Sequence, residues 1–471
     1  MSNHSSLFQS DLTSAGAADA AVYVQTNLVS DINGLAEATD PHLVNPWGVS
    51  FTPGSPFWIS DQGSNSTTLY SVTDSTDVNN PVPVFTVNIP TTGTGPQGPT
   101  GQVSNTNVSS FKLTDGNLMS ASFIFADLNG TISAWNPSLG TDGSTAHIEV
   151  TTPGAVYTGL AVNQADTMLY AANDSAGTID VFNSSFAPVD LGDHAFKTPG
   201  QIAARGLVPF NVTDIGGNVY VTYAPAGHAA QTMAGPGDGA VAVFTESGKL
   251  EPHGVLLGGP HTPLASPWGV AIAPNDFGQF SGDLLVGNFS FLDSEINAFD
   301  PQTHKLVGTI PISAGSGQTP GGLWTLTFGG GGNDGSPTTL YFTDGIDGET
   351  HGLFGAITSV PLVGTSTPTH SEANVTGRSV HSFTETSVDS LGNTALASQA
   401  QDTFNFATTL GENRSAGVHD HALDTPHSEL AGLAALTGTD PGGANAFNTH
   451  EAITFDHVAL NQLHDHDFLL R

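Results

Sequence analysis

A triplet of short apolar strands recurs about every 55 residues, from Asn45 to about residue 362. In each unit, a first strand ends near a glycine, a second is of the type LYxxN or FIFAD, and a third is of the type GxIxxF. The six first strands are NPWGVSF (Asn45–Phe51), TGQVSN (Thr100–Asn105), YTGLAVN (Tyr157–Asn163), PFNVTDIG (Pro209–Gly216), SPWGVAI (Ser266–Ile272) and GLWTLTF (Gly322–Phe328). Such a repeat predicts an all-β fold, a β-propeller of six blades.

The third strand of each unit leads into an outer strand, as in HIEVTT (His147–Thr152) and KLVGTI (Lys305–Ile310). The sixth unit has no obvious outer strand, whereas the amino-terminal region supplies an unassigned one, VYVQTNLV (Val22–Val29). We therefore expect this strand to complete the sixth blade beside Gly352–Ile357. Closing the ring in this way removes exposed sheet edges, which otherwise pair with other chains.

The composition changes beyond the repeats and suggests four segments. Residues 1–21 form an amino-terminal segment, and residues 22–362 form the propeller. Residues 363–400 are polar and without periodicity, which is typical of a linker. Residues 401–471 regain apolar positions and carry many histidines, and we expect them to form a small carboxy-terminal extension.

The chain is strongly acidic and has no cysteine. Eight lysines and arginines stand against 43 aspartates and glutamates, which gives a formal net charge of −35. Nucleic acid and anionic membrane surfaces are therefore unfavourable partners, because both bind clustered cations. The field of the protein favours divalent cations or cationic ligands, and Ca²⁺ is the cofactor to expect. The alternative is that the negative charge serves solubility alone. No disulfide can form, and no apolar run reaches the roughly 18 residues of a membrane span.

Residues 22–360 resemble an uncharacterised bacterial family of secreted propeller proteins. The resemblance rests on YVQTNLVSD, NPWGVSF, FWISDQG, FADLNGTISAWNP, LYAAN, GTIDVF, AGPGDGAVAVF, SPWGVAIAP, GDLLVGNF and HGLFGAI, which follow one another in order. It implies a secreted propeller and no particular reaction. Members of the family carry an amino-terminal signal peptide, and the first 20 residues here have neither the basic nor the apolar part of one.

The last 70 residues resemble the carboxy-terminal ends of calcium-binding-type proteins that leave the cell by type I secretion. The matching stretches are QDTFNFA (Gln401–Ala407) and HEAITFDHVALNQLHDHDFLLR (His450–Arg471). The glycine-rich calcium-binding nonapeptide of such proteins is absent from this chain. The resemblance implies an extracellular protein that reaches the outside through a type I system, which agrees with the lack of cysteine and the few cations.

Polar residues at the ends of the second strands are candidates for a metal site. Carboxylate and amide oxygens that surround a common axis would suit Ca²⁺ or Mg²⁺. The predicted ligands are Asp61, Asn173, Asn288 and Asp344, with Asn45 and Asp127 in similar positions. The alternative is that each Asp or Asn caps its own turn through the backbone.

Aromatic residues in the first strands form a second candidate site, for ligand binding. Trp47, Trp268 and Trp324 occupy equivalent positions in units one, five and six, and we place Tyr157 and Phe210 at the same position in units three and four. A ring of aromatic side chains at the channel mouth could stack a sugar or another flat ligand. The alternative is that these side chains are wedges between blades.

The segment DGIDGETHG (Asp344–Gly352) is the densest polar cluster in the repeats. Glu349 and His351 are the candidates for catalysis, as a base and a proton carrier or ligand. His228, His253 and His261 lie in loops of units four and five, from where they could meet His351 on one metal ion. The alternative is that these histidines face solvent.

Two main functions remain open from the sequence, beside the possibility of a passive structural cap of a larger assembly. The first is a secreted binding, matrix or self-assembling scaffold protein, whose partners would be further copies of itself, a glycan or a cell-surface ligand. The motivation is a regular repeat without a recognisable catalytic motif. The second is a metal-dependent propeller hydrolase or lyase of the lactonase or esterase type, with its site at the central channel.

Overall fold

The protein is a six-bladed β-propeller, which confirms the predicted fold. The computed structural model describes residues 5–8, 21–73, 77–79, 82–93, 95–116 and 118–361. The innermost strands of consecutive blades are neighbours around a ring, and the innermost strand of blade six is the neighbour of that of blade one. The predicted linker, the carboxy-terminal segment and most of the amino-terminal segment lie outside the described residues.

Blades one and two are antiparallel sheets whose strands follow one another from the axis outwards. The strands of blade one are Pro46–Ser50, Phe57–Asp61, Ser66–Tyr70 and Thr86–Asn88. Those of blade two are Pro99–Ser104, Phe123–Asp127, Thr131–Trp135 and His147–Thr151. The short strand Ser144–Thr145, from the connection within blade two, adds to the outer edge of blade one in parallel.

Blade three differs from the prediction, because in the described residues its sheet has three strands and no outer strand. Its strands are Tyr157–Val162, Met168–Asn173 and Thr178–Asn183. The chain turns back after Asn183 and makes a single bridge between Phe182 and Pro188. Proline has no N–H to donate, so a ladder of hydrogen bonds does not continue from this bridge. The helix Gly200–Ala203 then leads to blade four.

Blades four and five each have four strands. Those of blade four are Leu207–Ile215, Asn218–Pro225, Ala240–Thr245 and Leu250–Leu257. Those of blade five are Pro267–Ile272, Leu284–Asn288, Glu295–Phe299 and Leu306–Pro311. The helix His228–Thr232 interrupts blade four between its second and third strands, at one end of the sheet. This insertion places His228 near the axis.

Blade six is closed by the amino-terminal strand, as predicted. Its first three strands are Leu323–Phe328, Leu340–Asp344 and Leu353–Pro361. The fourth is Ala21–Ser30, which pairs antiparallel with Leu353–Pro361 and brings Val22 opposite Val360. The backbone of Ser5–Phe8 adds a further antiparallel strand outside the closing strand. The ring is thus held together by hydrogen bonds between residues more than 300 positions apart in the sequence.

The remaining short elements lie in the connections. They are the strand Ala38–Thr39, which runs parallel to the closing strand, the two-stranded pair Val72–Thr73 and Asp77–Val78, the helix Ile346–Glu349, and the 3₁₀ turns Gln62–Ser64, Pro137–Leu139 and Gly278–Phe280.

Apolar side chains on both faces of each sheet hold the blades together. In the described residues, a hydrophobic cluster fills each of the six interfaces between neighbouring blades. Most of the first, second and third strands of the blades are therefore buried along their whole length. This explains why they read as continuous apolar runs rather than as alternating apolar and polar residues.

The innermost strands approach one another closely, and glycine at their third position permits this. A Cβ atom at Gly101 would overlap the backbone nitrogen of Leu160 in the next blade. The same holds for Gly48 against the backbone of Thr100, and for Gly269 against that of Trp324. The glycine in the NPWG, TGQ and SPWG motifs is therefore required by backbone packing around the axis.

Candidate functional site

The start of every innermost strand and the end of every second strand lie on one face of the propeller. Pro46 is opposite Asp61 in blade one, Tyr157 is opposite Asn173 in blade three, and Leu323 is opposite Asp344 in blade six. We call this side the mouth face. The polar residues that the sequence singled out therefore do lie on the same face, as their repeated positions suggest.

A cavity of about 380 Å³ lies at the centre of the mouth face. We call it the mouth cavity. Its lining comes from five of the six blades and mixes apolar with polar side chains. The apolar part is Trp47, Pro96, Leu128 and Val156, and the polar part includes Asn45, Gln62, Asp174, His228, Gln231 and Glu349. The cavity therefore has a hydrocarbon surface and a small set of polar groups.

A histidine and a glutamate meet across the mouth cavity. Nε2 of His228, in blade four, lies 2.6 Å from Oε2 of Glu349, in blade six. The hydrogen bond to Glu349 raises the pKa of His228, burial opposes this shift, and the charges of Glu349 and Asp174 add to it. The His228 side chain is 55% exposed, whereas that of Glu349 is 11% exposed. The pair is therefore reachable from solvent on the histidine side.

Amide side chains hold the two carboxylates of the mouth cavity in place. Asn45 Nδ2 donates to Oε1 of Glu349 at 3.1 Å and to Oε1 of Gln62 at 2.8 Å. Gln231 Nε2 donates to Oδ1 of Asp174 at 2.8 Å. Burial raises the pKa of Asp174, and the hydrogen bonds to Gly227 and Gln231 partly offset this effect. Asn45, Gln62, Glu349 and His228 thus form one network across three blades, and Asp174 with Gln231 forms a separate pair across two.

Two residues of this network have left-handed backbone conformations. Asn45 has φ of 46° and Glu349 has φ of 66°. Asparagine tolerates this conformation, whereas for glutamate it carries a cost of about 1 to 2 kcal/mol. Such strain persists where the surrounding structure fixes the backbone, and it is concentrated at functional sites. The surrounding structure therefore holds Glu349 beside His228 in a backbone conformation that is unfavourable for glutamate.

The predicted aromatic residues are brought together, but as a packed cluster rather than an open ring. Trp47 and Trp324 stack with ring centroids 3.4 Å apart, and Trp268 meets Trp324 edge-on at 5.7 Å. Phe210 and Phe289 complete the cluster. The three tryptophans are at most 4% exposed, so packing rather than ligand stacking accounts for them. Only Trp47 of the three lines the mouth cavity.

Tyr157 is not equivalent to the tryptophans, and its predicted role as an aromatic ligand contact is wrong. It pairs with Asn173 as Pro46 pairs with Asp61, so that Thr158 is the counterpart of Trp47. The Tyr157 ring lies between blades two and three, and its hydroxyl donates to Asp180 Oδ2 and accepts from the hydroxyl of Thr152. A shift of one residue in a strand reverses the side-chain direction, which the sequence comparison did not resolve.

A second cavity, of about 420 Å³, lies along the axis on the other side of the aromatic cluster. We call it the channel cavity. It is lined by the later halves of all six innermost strands, and Trp268 contributes to its wall. Since Trp47 lines the mouth cavity and Trp268 the channel cavity, the aromatic cluster lies between the two.

The geometry does not support one metal ion held by the four predicted ligands. Asn173 and Asp344 belong to blades three and six, on opposite sides of the ring, and each lies one strand outside the innermost strands. Two innermost strands and the channel therefore separate them. Asn173 Oδ1 lies 3.3 Å from the backbone N–H of Val156, and Asn288 Oδ1 accepts that of Ala265 at 3.0 Å. These amides are bound to the segments that lead into their own innermost strands, and in the described part of the chain only Asn173 also accepts a hydrogen bond within its own turn, from the N–H of Ala176.

Asp61 and Asp344 differ from the amides at the same position. Both are fully buried. Among the described residues the carboxylate oxygens of Asp344 find no hydrogen-bond donor, whereas Thr68 lies beside the carboxyl group of Asp61 and partly offsets the effect of burial on its pKa. Burial raises the pKa of each well above its usual range, and the charges of Asp40 and Glu349 add to the shift of Asp61 and Asp344 respectively.

The candidate His351 lies away from the mouth cavity. Its Nδ1 atom is 2.6 Å from Oδ2 of Asp31, which follows the closing strand. The predicted convergence of His351 with His228, His253 and His261 does not occur, because in the described residues no group of three or more His, Cys, Asp or Glu side chains is placed to hold a metal ion. Glu349 is thus in the cavity, while His351 stabilises the junction with the closing strand.

The sequence missed the partner of Glu349 and the role of Asp174. His228 stood out only as one of several loop histidines, and Asp174 was not singled out at all. No local pattern joins them, because 120 positions separate His228 from Glu349. The helix that interrupts blade four at His228–Thr232 was the available signal, since an insertion on the mouth face is a deviation from the repeat.

The structure is thus a propeller with a cavity at one end of its axis. No family model matches the chain. Two uncharacterised proteins of Acanthamoeba polyphaga mimivirus are similar to it: one is 29% identical over 58% of this chain and 66% of its own length, and the other is 26% identical over 70% and 84%. The match to the first thus spans slightly less than two thirds of that relative.

Two solved structures are also similar in fold. A streptogramin B lyase is 10% identical, with 72% of this chain and 97% of that chain covered and a TM-score of 0.40. A nidogen/laminin complex is 16% identical, with 47% and 70% covered and a TM-score of 0.32. Both likenesses concern the fold alone.

None of the helices in the described part of the chain has the length and apolar character needed to cross a membrane.

Proposed function

We propose that this protein is an extracellular binding propeller whose binding site is the mouth cavity. The observation that carries the proposal is that five blades contribute to one cavity on the axis, with a connected polar network at its rim. Sites for small molecules in proteins are concave, mostly apolar and equipped with a few fixed polar groups. The mouth cavity has these properties, and its volume of about 380 Å³ suits a ligand of the size of a monosaccharide or a small amine.

Thermal denaturation in the presence of a library of small metabolites tests this function. A ligand at a hundredfold excess over its Kd stabilises the folded state by about 2.7 kcal/mol. We expect at least one compound to raise the melting temperature of the wild-type protein. The variant Val156→Phe places a ring in the mouth cavity and abolishes the response.

Val307→Phe is the matched control, because Val307 is exposed on the outer strand of blade five. It should respond to the ligand as the wild type does. A ligand response that survives Val156→Phe would place the binding site elsewhere, and no response to any compound would contradict the proposal.

The extracellular location is part of the proposal and is supported by the sequence. The lack of cysteine, the net charge of −35 and the resemblance of residues 401–471 to type I secretion ends all agree with it. The test is to fuse residues 401–471 to a cytosolic carrier protein in cells that have a type I secretion system. The carrier should appear in the medium, and its complete retention in the cells would contradict this part.

Self-assembly would give such a protein a matrix or scaffold role. The supporting feature is that blade six depends on a strand from the other end of the repeats, which a second copy could supply. Light scattering of the purified full-length protein, with and without Ca²⁺, measures this directly. Growth of the particle mass with concentration is expected, and strict monomers under both conditions would contradict it.

A second candidate function is acid–base catalysis, by a hydrolase or lyase of the lactonase or esterase type. The observation that favours it is the distance of 2.6 Å between His228 and Glu349 in a cavity that a substrate can enter. A histidine held by a carboxylate is oriented to exchange a proton with a bound substrate. A metal ion would add Lewis-acid chemistry, but Asn173 and Asn288 already use their oxygens on backbone groups.

Hydrolysis and elimination assays on lactones and esters test this candidate, together with metal analysis by mass spectrometry. Activity should follow the protonation of His228 and be lost in His228→Gln, while the melting temperature stays near that of the wild type. Activity that is unchanged in His228→Gln would exclude this pair as the catalytic group.

A further inference from the structure

We infer that the ligand of the mouth cavity is a small organic cation with an apolar body, such as an alkylated ammonium ion; this inference rests on the proposed binding function. The lining carries two carboxylates, Asp174 and Glu349, and no lysine or arginine. Its single basic group, His228, is already paired with Glu349. A ligand with one positive charge would balance the remaining carboxylate.

The hydrogen-bond donors of the cavity are mostly used within the protein. Asn45 Nδ2 donates to Gln62 and Glu349, Gln62 Nε2 donates to the carbonyl of Gln97, and Gln231 Nε2 donates to Asp174. A carboxylate has about four acceptor positions, of which the contacts within the protein fill about half in Asp174 and Glu349. The hydrogen-bonding positions that remain free are therefore acceptors. An N–H donor of a cation, or a methyl group of a quaternary ammonium ion, would complement them.

The apolar part of the lining determines the rest of the ligand. Trp47, Pro96, Leu128 and Val156 offer a hydrocarbon surface beside the carboxylates. A hydrated metal ion would gain nothing from this surface, whereas an alkylated ammonium ion would bury its methyl or methylene groups there. The formal charge of −35 on the chain adds a long-range attraction for any cation. Anionic ligands are disfavoured by the same charges.

Three probes of nearly equal shape test the inference by calorimetry. They are choline, its neutral isostere 3,3-dimethylbutan-1-ol, and the anion 3,3-dimethylbutanoate. We expect choline to bind at least about tenfold more tightly than the neutral isostere, and the anion to bind most weakly, because a carboxylate within about 5 Å interacts strongly with a unit charge at a partly buried site. Raising the salt concentration should weaken the binding of choline and leave the isostere unaffected.

The variants Asp174→Asn and Glu349→Gln remove one charge each and keep the size of the side chain. Asp174→Asn should weaken choline about tenfold or more and leave the neutral isostere within about twofold. Glu349→Gln should weaken choline in the same way only at a pH at which His228 stays protonated, because loss of the histidine proton restores the net charge of the cavity. Asp193→Asn is the control, since Asp193 is exposed in the connection between blades three and four. If one cavity variant fails to fold, the other variant and the salt dependence of the wild type still decide the question.

The outcomes separate this inference from the binding function itself. Equal affinity for choline and its neutral isostere, tighter binding of the anion, or no binding of choline would each overturn the cationic ligand. If a neutral or anionic compound from the metabolite library binds instead, and Val156→Phe blocks it, the binding function stands while the cationic ligand is excluded.

Discussion

The mouth cavity and the channel cavity lie on the same axis, separated by the aromatic cluster, yet they are built differently. The channel cavity is lined by equivalent positions of all six innermost strands, such as Gly48, Gly101 and Gly269. The mouth cavity combines repeated positions, such as Trp47 and Asp174, with residues of connections that have no counterpart in the other blades, such as His228 and Glu349. The first follows the repeat, and the second departs from it in part.

This difference shows which residues serve the fold and which serve a site. Repeated residues satisfy a requirement that every blade shares, such as close packing of the innermost strands. Residues that break the repeat are not explained by that requirement. Glu349 also has a left-handed conformation, which the repeat does not demand. We therefore expect changes in the channel to affect stability, and changes at the mouth to affect binding.

The largest expected effect is on the channel side. Gly101→Ala adds a Cβ atom that would overlap the backbone of blade three, so that two innermost strands must separate. We expect it to lower the free energy of unfolding by about 3 kcal/mol, as overpacked sites do. Urea denaturation measures this loss.

Gly259→Ala is the control for that experiment, because no atom lies within 4 Å of the position where its Cβ would be built. It should leave the stability unchanged or raise it slightly. Equal stability of Gly101→Ala and Gly259→Ala would show that the innermost strands are not closely packed.

A medium effect is expected from the buried acids of the mouth face. Burial raises the pKa of Asp61 and Asp344, so their contribution to stability is fully present below their ordinary pKa of about 4 and is lost as the pH rises toward the folded pKa. Between its ordinary pKa and its raised pKa in the folded state, each group should lower the free energy of unfolding by about 1.4 kcal/mol for every unit by which the pH rises.

Denaturation measured from pH 4 to pH 8 tests this slope. Asp61→Asn and Asp344→Asn should each flatten it, while the exposed Asp193→Asn should not. Equal slopes in the wild type and the three variants would contradict this prediction. They would mean that Asp61 and Asp344 ionise with ordinary pKa values, because other groups stabilise their charged forms.

The smallest expected effect is on the titration of His228. Glu349 raises the pKa of this histidine, so Glu349→Gln should lower it toward its ordinary value. The stabilisation from the charged pair is present below the ordinary pKa of histidine and is lost as the pH rises through the folded pKa. NMR titration of the imidazole signals measures the shift, and His253, which lies outside the mouth cavity, is the internal reference.

The sequence predicted the fold well because the fold depends on repeated signals. The six first strands and the closing strand at Val22–Val29 were assigned correctly, since short apolar runs, turn residues and glycines recur at regular spacing. The errors in the fold were local. The outer strand expected after Thr178–Asn183 is absent from the described residues, and Tyr157 is one position away from the tryptophans.

The candidate site was predicted only in part, because not all of its residues follow from a repeated sequence signal. Glu349 was found because DGIDGETHG is locally polar, and Trp47 because NPWG recurs. The pairing of Glu349 with His228 arises from the closed ring, which brings blades four and six to the same cavity, and no local pattern encodes it. His351 looked equally suitable in the sequence, yet it is paired with Asp31.

The most direct test of the account is a crystal structure of the wild-type protein soaked with a library of small-molecule fragments, with bound ligands located by electron density. We predict ordered ligand density in the mouth cavity, between Glu349, Asp174 and Trp47. Density confined to the channel cavity beside Gly101, or an empty mouth cavity across the whole library, would contradict it.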